Sequence, residues 1–216
     1  MGPTKITFYV DVVSPFAYEG YHILRHDAAF QNVQITYVPI FLGGLMKACG
    51  NKAPIQIKNK DKWINLERNR WARAFGIPMT EQAPPEFPPN TVGVMRALAC
   101  MPSQDALARA LDRLYADFWV AHQPVATPEV YGPVLRAVLG DAEAEKVLAA
   151  ATTTGKTALQ ENTDQAFAAG AFGLPWFVCT NDEGKTEAFW GVDHLGQVAQ
   201  FLGLEKPGTA GWKAVL

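Results

Sequence analysis

The stretch Ile6-Thr7-Phe8-Tyr9-Val10-Asp11-Val12-Val13-Ser14-Pro15-Phe16-Ala17 decides the fold. Ile6, Phe8 and Val10 alternate with Thr7 and Tyr9 in a β-branched and aromatic run, which predicts a strand. Ser14 then offers a side-chain oxygen to the free N–H groups of a helix start. Pro15 suits the first helical position, where no N–H is needed. A helix is expected from here to about Phe30, carrying Tyr18, Tyr21, His22 and Arg25. Val33–Val38 alternates again, so the segment reads as a βαβ unit. Its helix begins at the C-terminal end of the first strand, where α/β folds place their sites.

The long middle of the chain reads as helical. Leu107, Leu111, Leu114, Tyr115 and Phe118 recur at the helical period behind Ser103, an expected N-cap. Thr127–Pro128 and Asp141 are further helix starts, and Gly140, Gly155 and Gly170 are expected stops. Pro84-Pro85-Glu86-Phe87-Pro88-Pro89 has to be a loop, because each proline removes a donor and fixes φ. Strands return at Trp176–Thr180 and Thr186–Trp190 around the turn Asn181-Asp182-Glu183-Gly184. A final helix is expected from Asp193 to about Leu202. The order βαβ, helices, ββα is the thioredoxin topology, an α/β fold, with a large all-helical domain inserted between its halves. The expected division is 1–45 and 170–216 for the thioredoxin-like domain and 46–169 for the helical one.

Composition narrows the function. The 216 residues fit one domain with an insertion, at roughly 100–200 residues per domain. With 49% hydrophobic and 19% charged residues, the chain is not of the disordered class. A formal net charge of −2 gives no basis for a nucleic-acid partner or an anionic membrane. No stretch approaches the ~20 apolar residues of a membrane span. Met1–Lys5 starts no signal peptide. Ala214-Val215-Leu216 is a weak echo of a peroxisomal tripeptide, so a cytoplasmic location is expected. Cys49, Cys100 and Cys179 lie too far apart for a CxxC or zinc spacing, and an odd count suits a reducing compartment. Cys100 and Cys179 read as buried apolar residues. The four histidines show no metal-ligand spacing, and no metal is expected.

Two clusters in the helical region have two readings each. Lys58, Lys60, Lys62, Arg68, Arg70 and Arg73 outnumber Asp61 and Glu67, as a solvated helix face or as an attractor for an anionic ligand. Trp63, Trp71, Phe87, Tyr115, Phe118 and Trp119 are core, or in part the wall of an apolar cleft.

Thiol oxidoreductases of this topology open the first helix with Cys-x-x-Cys. Here that place reads Ser14-Pro15-Phe16-Ala17. Disulfide exchange needs two sulfurs, so that chemistry is excluded. A hydroxyl at a helix N-terminus is either only a cap or a donor to a thiolate brought by a substrate. The exposed N–H groups and the helix dipole favour such an anion. Gly170-Ala171-Phe172-Gly173-Leu174-Pro175 precedes the third strand, where this topology carries a cis-proline. A cis bond there turns the backbone of Leu174 towards a peptide ligand.

These motifs together resemble the kappa-class glutathione transferases, in the thioredoxin-fold superfamily shared with DsbA-like proteins. The matching segments are Asp11–Phe16, Gly44-Leu45-Met46-Lys47, Gly50-Asn51-Lys52-Ala53-Pro54 and Gly170–Pro175. Phe189-Trp190-Gly191-Val192-Asp193 also resembles the 2-hydroxychromene-2-carboxylate isomerases. The resemblance covers essentially the whole chain, with motif order kept. It implies that Ser14 holds the thiolate of glutathione, the co-substrate, with the backbone of Pro15 and Phe16 in the same turn. Asn51 is implied to hydrogen-bond the tripeptide, and Lys60 aligns with a family lysine that contacts it. Leu174, before Pro175, is implied to pair with the cysteinyl backbone, and Val192 and Asp193 to meet the γ-glutamyl end.

The expected reaction is transfer of glutathione to a hydrophobic electrophilic small molecule, with peroxide reduction as a side activity. The alternatives are glutathione-dependent isomerisation and glutathione binding without turnover. A homodimer is implied by the resemblance alone, which also admits mitochondrial or peroxisomal placement. Three positions depart from the kappa pattern: Val192 stands where Ser is usual, His194 for Arg, and Ala17 for Ser.

Overall fold

The first strand, β1 (Lys5–Val10), lies inside a four-stranded sheet of order β2-β1-β3-β4, seen in the computed structural model, which describes residues 2–204. It pairs in parallel with β2 (Gln34–Pro39) and antiparallel with β3 (Trp176–Thr180), and β3 pairs antiparallel with β4 (Thr186–Trp190). The parallel pair needs a crossover, and α1 (Pro15–His26) supplies it. The helix is shorter than expected. Asp27 ends it, and its carboxylate accepts from the Ala29 N–H at 3.0 Å, which starts a separate 3-10 turn over Ala28–Phe30.

Strand alternation gives the sheet two buried faces. On one, Phe8 and Phe177 are fully buried with ring centroids 5.0 Å apart. A Cβ on Gly20 of α1 would come within 3.3 Å of the Phe8 ring, so the missing side chain lets the helix lie close to the sheet. On the other face, Tyr9, Trp176, Leu174, Ile40, Leu45 and Ala166 form a smaller core.

The chain between β2 and β3 is helical: α2 (Leu42–Ala48), α3 (Lys60–Phe75), α4 (Val92–Ala99), α5 (Gln104–Trp119), α6 (Pro128–Leu139), α7 (Asp141–Ala151) and α8 (Thr154–Ala168). α2 spans the expected boundary at residue 45. α2 and α8 pack on each other, and α8 also meets β2. Ser103 caps α5 as expected, its Oγ accepting from Ala106 at 3.1 Å. The next residue, Gln104, hydrogen-bonds both backbone groups of Tyr37, at 2.8 and 3.1 Å. It thereby occupies polar groups on the open edge of β2. The tyrosines of α1 fix α5 from the other side: the Tyr21 hydroxyl donates to Asp112 at 2.6 Å and lies 2.8 Å from the Ala108 carbonyl.

After β4 the chain makes a 3-10 turn at Val192–His194 and then α9 (Leu195–Phe201), so the last helix begins two residues later than expected. No helix among the described residues is long and apolar enough to cross a membrane. The C-terminal tripeptide and the end of the 170–216 segment lie outside the described residues.

Gly155 is not the helix stop expected from the sequence. It is the second residue of α8, where a Cβ would lie 2.9 Å from the Arg96 carbonyl oxygen and 3.0 Å from the Cys100 sulfur. The glycine is there for close packing of α8 on α4. Gly155→Ala is expected to lower the unfolding free energy by about 1 kcal/mol. Overpacking of roughly 1–3 kcal/mol outweighs the ~1 kcal/mol gained in helix propensity. A urea midpoint at or above the wild-type value would refute the packing argument.

Candidate functional site

The site grows from the end of β1. Ser14 leaves the strand with extended backbone (φ −85°, ψ 116°), and its Oγ accepts from the Ala17 N–H at 3.2 Å. That bond satisfies one of the helix's open donors, and no protein group accepts the hydroxyl hydrogen among the described residues. Ser14 is only 5% exposed, on the floor of a cleft of about 1390 Å³ between the sheet and the helical segment.

The nine residues singled out in the sequence all border this cleft. Pro15 and Phe16 continue the Ser14 turn. Leu174 and Pro175 face it, joined by a cis bond. Among the described residues, the Leu174 N–H and carbonyl have no protein partner, whereas the Pro175 carbonyl accepts from Gly191 at 3.0 Å. That bond brings Val192 and Asp193 alongside. Gly191 has φ 92°, and any Cβ on it would collide with the Asp193 carboxylate, so this bend requires glycine. The Val192 side chain is 2% exposed and belongs to the main core. It leaves only a backbone N–H for a ligand. Asn51 closes the mouth: its Nδ2 donates to the Phe172 carbonyl at 2.7 Å, with a second N–H to spare. Lys60, the first residue of α3, carries an exposed ammonium at the rim.

The opposite wall is apolar. Trp63, Trp71, Phe87 and Trp119 line it, whereas Tyr115 and Phe118 are buried in the core. Trp119 is anchored to the site by its Nε1–H, which donates to the Val12 carbonyl at 3.1 Å.

The family and the fold are matched by known proteins. The family model of the DsbA-like thioredoxin domain matches residues 5–203. Glutathione S-transferase kappa 2 of Caenorhabditis elegans is 30% identical, over 91% of this chain and 91% of its own length. The chain belongs to the DsbA-like thioredoxin family, among its kappa glutathione transferases. Glutathione S-transferase kappa 1 of Caenorhabditis elegans is 27% identical over 94% of this chain and 92% of its own. The solved structure of 2-hydroxychromene-2-carboxylate isomerase superposes with a TM-score of 0.78 at 22% identity, covering 92% of this chain and 94% of that one.

Within this kappa transferase, several site residues escape sequence reasoning. Asp11 is completely buried at the cleft floor and accepts from Val13 N–H (3.2 Å), Leu42 N–H (2.9 Å) and the Thr91 hydroxyl (3.1 Å). Burial pushes its carboxyl up to about 6, against the three hydrogen bonds, which pull it down. The signal was present: a lone acid inside Val10–Val13, where its neighbours are apolar.

Arg68 is not part of a solvated face. It is 2% exposed, lies with its guanidinium 5.6 Å from the Trp119 ring, and donates to Asn65 Oδ1 (2.9 Å), Thr80 O (2.9 Å) and Glu81 O (2.6 Å). Three of its five N–H groups hold Asn65 and the loop after α3, and the side chain also borders the cleft. Glu19, on α1, is fully buried without a hydrogen-bond partner among the described residues. Burial raises its carboxyl well above the usual range, and the charge of Arg68 partly opposes this. Arg70 and Arg73 pair with Glu67 and Glu81.

The cysteines are all free. Cys179 is buried as expected, Cys100 is only partly so, and Cys49 lies at the cleft with its sulfur 3.2 Å from the Leu45 carbonyl. A second cis bond, Phe87–Pro88, shapes the aromatic wall and had no sequence signal.

Asp11 makes a testable contribution to stability. Its carboxyl titrates near 6 in the folded protein and near 4 in an unfolded chain. Between those values the folded state binds more protons, so stability falls as pH rises through that window. The contribution is fully present below about pH 4 and lost above about pH 6. Comparing wild type with Asp11→Asn by thermal unfolding should show a slope between pH 4 and 7, worth roughly 1–3 kcal/mol, that the variant lacks. Parallel curves would place the Asp11 carboxyl at its ordinary value.

Proposed function

We propose that the chain is a glutathione transferase of the kappa type, with the isomerase reaction as the alternative outcome. The observation that carries this is Ser14. One hydroxyl oxygen caps α1 while its hydrogen stays unused, on the floor of a cleft whose other side is aromatic.

Glutathione brings the sulfur that this thioredoxin-like site lacks. Its cysteinyl backbone pairs with the free N–H and carbonyl of Leu174 as a short added strand. Its γ-glutamyl end lies at the Val192–His194 turn. The leading N–H groups there have no intrahelical partner, and the exposed Asp193 carboxylate suits the ammonium group. Lys60 faces the peptide's carboxylates, and the second Asn51 N–H is available to it. The Ser14 hydroxyl donates to the sulfur, and the start of α1 favours the anion, so thiolate is populated near neutral pH. The thiolate then attacks an electrophile held against Trp63, Trp71 and Phe87. A C–S bond forms with the sulfur's electron pair, and the electrophile releases a leaving group or accepts the pair into a conjugated system. The isomerase variant reverses the addition after bond rotation. On the resemblance the protein works as a homodimer, and on the sequence reading it works in the cytoplasm.

Calorimetry should show glutathione binding at or below millimolar concentration, and no heat at that concentration would end this reading. Product analysis with a panel of electrophiles distinguishes conjugates from rearranged, glutathione-free product. Ser14→Ala should raise the pKa of the bound thiol by about 1–2 units. The loss is that of one charge-assisted hydrogen bond, about 1.5–3 kcal/mol. An unchanged thiolate absorbance titration would remove Ser14 from this role.

A further inference from the structure

Below the Ser14 turn lies a carboxylate that the steps above do not use. Asp11 has no solvent exposure, yet it borders the cleft. Its three donors belong to three different walls. Val13 is in the turn that presents Ser14, Leu42 is the first residue of α2, and Thr91 precedes α4. Among the described residues no lysine, arginine or histidine pairs with Asp11. Its charge acts on the Tyr115 phenol, itself buried and without a hydrogen-bond partner among the described residues. Among the described residues the negative charge is therefore balanced by neutral dipoles alone. Such a site is suited to one anion and poorly suited to two.

A thiolate on Ser14 would be the second anion. It would sit in the same short turn as Asp11, screened little by water. Two like charges sharing a site cannot both remain ionised at ordinary cost, and one of them takes a proton. We propose that Asp11 takes up the thiol proton when glutathione is seated, so that the site carries its single negative charge on the sulfur. This rests on the reading that Ser14 holds a glutathione thiolate. The S–H bond breaks with its electron pair left on sulfur, and the proton goes to Asp11. Oδ2 already accepts two hydrogen bonds and Oδ1 one, so Oδ1 is the atom that receives it. Nothing is oxidised or reduced. Once the C–S bond forms the sulfur is neutral, and Asp11 returns its proton to the adduct's anionic atom or to solvent. The carboxyl's upward displacement to about 6 by burial lowers the cost of that uptake. The three hydrogen bonds also make Asp11 a positioning residue, since they set the spacing of the walls around the sulfur.

A proton count tests this. Glutathione and S-methylglutathione, which has no thiol proton, are titrated into the full-length protein at pH 7 in buffers of different ionisation enthalpy. Thiolate absorbance is read on the same samples. In the wild type, thiolate should appear while both peptides release the same number of protons. In Asp11→Asn, glutathione should release close to one extra proton per thiolate formed. Wild-type release of one extra proton per thiolate would overturn the proposal, and this holds whether or not the variant folds. Absence of any wild-type thiolate signal would overturn the parent reading and this one together, and the absorbance alone reveals it.

Discussion

The carboxylate of Asp11 is buried with no cation beside it among the described residues, and it ties the Ser14 turn to the starts of α2 and α4. Burying an ionised carboxylate costs several kcal/mol unless its oxygens are hydrogen-bonded. Three donors offset much of that cost, and they come from segments far apart in sequence. The helical segment brings Leu42 and Thr91 to this point, and both border the cleft beside Asp11. Without those donors the charge would be uncompensated, so the thioredoxin half and the insertion are bound through their site as well as through their core.

The same logic operates on the far wall. Arg68 donates to the backbone carbonyls of Thr80 and Glu81 and lies over the face of Trp119, and Trp119 in turn donates to Val12 beside Asp11. A chain of polar contacts therefore runs from the loop after α3 to the residues preceding Ser14. The aromatic wall and the Ser14 turn are fixed relative to each other, as the proposed reaction between two bound molecules requires. Arginine suits this position because its planar group satisfies two carbonyls and a ring at once. Buried beneath it, Glu19 is better accommodated neutral than charged.

What was legible in the sequence is what local chemistry determines. The alternation of Ile6, Phe8 and Val10 marked β1, Ser14-Pro15 marked the start of α1, and both strands of the last hairpin fall on the residues read for them. The cis bond before β3 was legible because topology places it. The end of α1 was missed because Asp27 hydrogen-bonds its own turn in competition with the helix. Gly155 was misread because the demand for glycine comes from α4, a separate helix. Arg68 looked like a surface charge, since its partners Thr80 and Glu81 lie beyond the helix that carries it. Asp11 is the most informative miss. Its apolar neighbours implied burial, but what a buried acid is for depends on Leu42 and Thr91, which nothing in the local sequence connects to it.

In the proposed function, the oxygen of Ser14 in place of a cysteine sulfur gives these contacts a common purpose. A cysteine there would supply its own anion and would need a second cysteine to resolve the mixed disulfide. A serine hydroxyl near neutral pH is neutral, so it keeps a hydrogen to donate while its oxygen caps the helix. The negative charge then has to arrive with a ligand, and the protein must hold it without providing a full positive charge. In the proposed scheme helix N–H groups and a hydroxyl do that, while the acid below gives up its own charge as the ligand's appears. A cation in the place of Asp11 would bind the thiolate more tightly and make it a weaker nucleophile. A neutral residue there would leave α2 and α4 without their common acceptor. An aspartate that can change its charge meets both demands, and the proposed scheme thereby gives a physical reason for an otherwise costly buried acid beside the Ser14 turn.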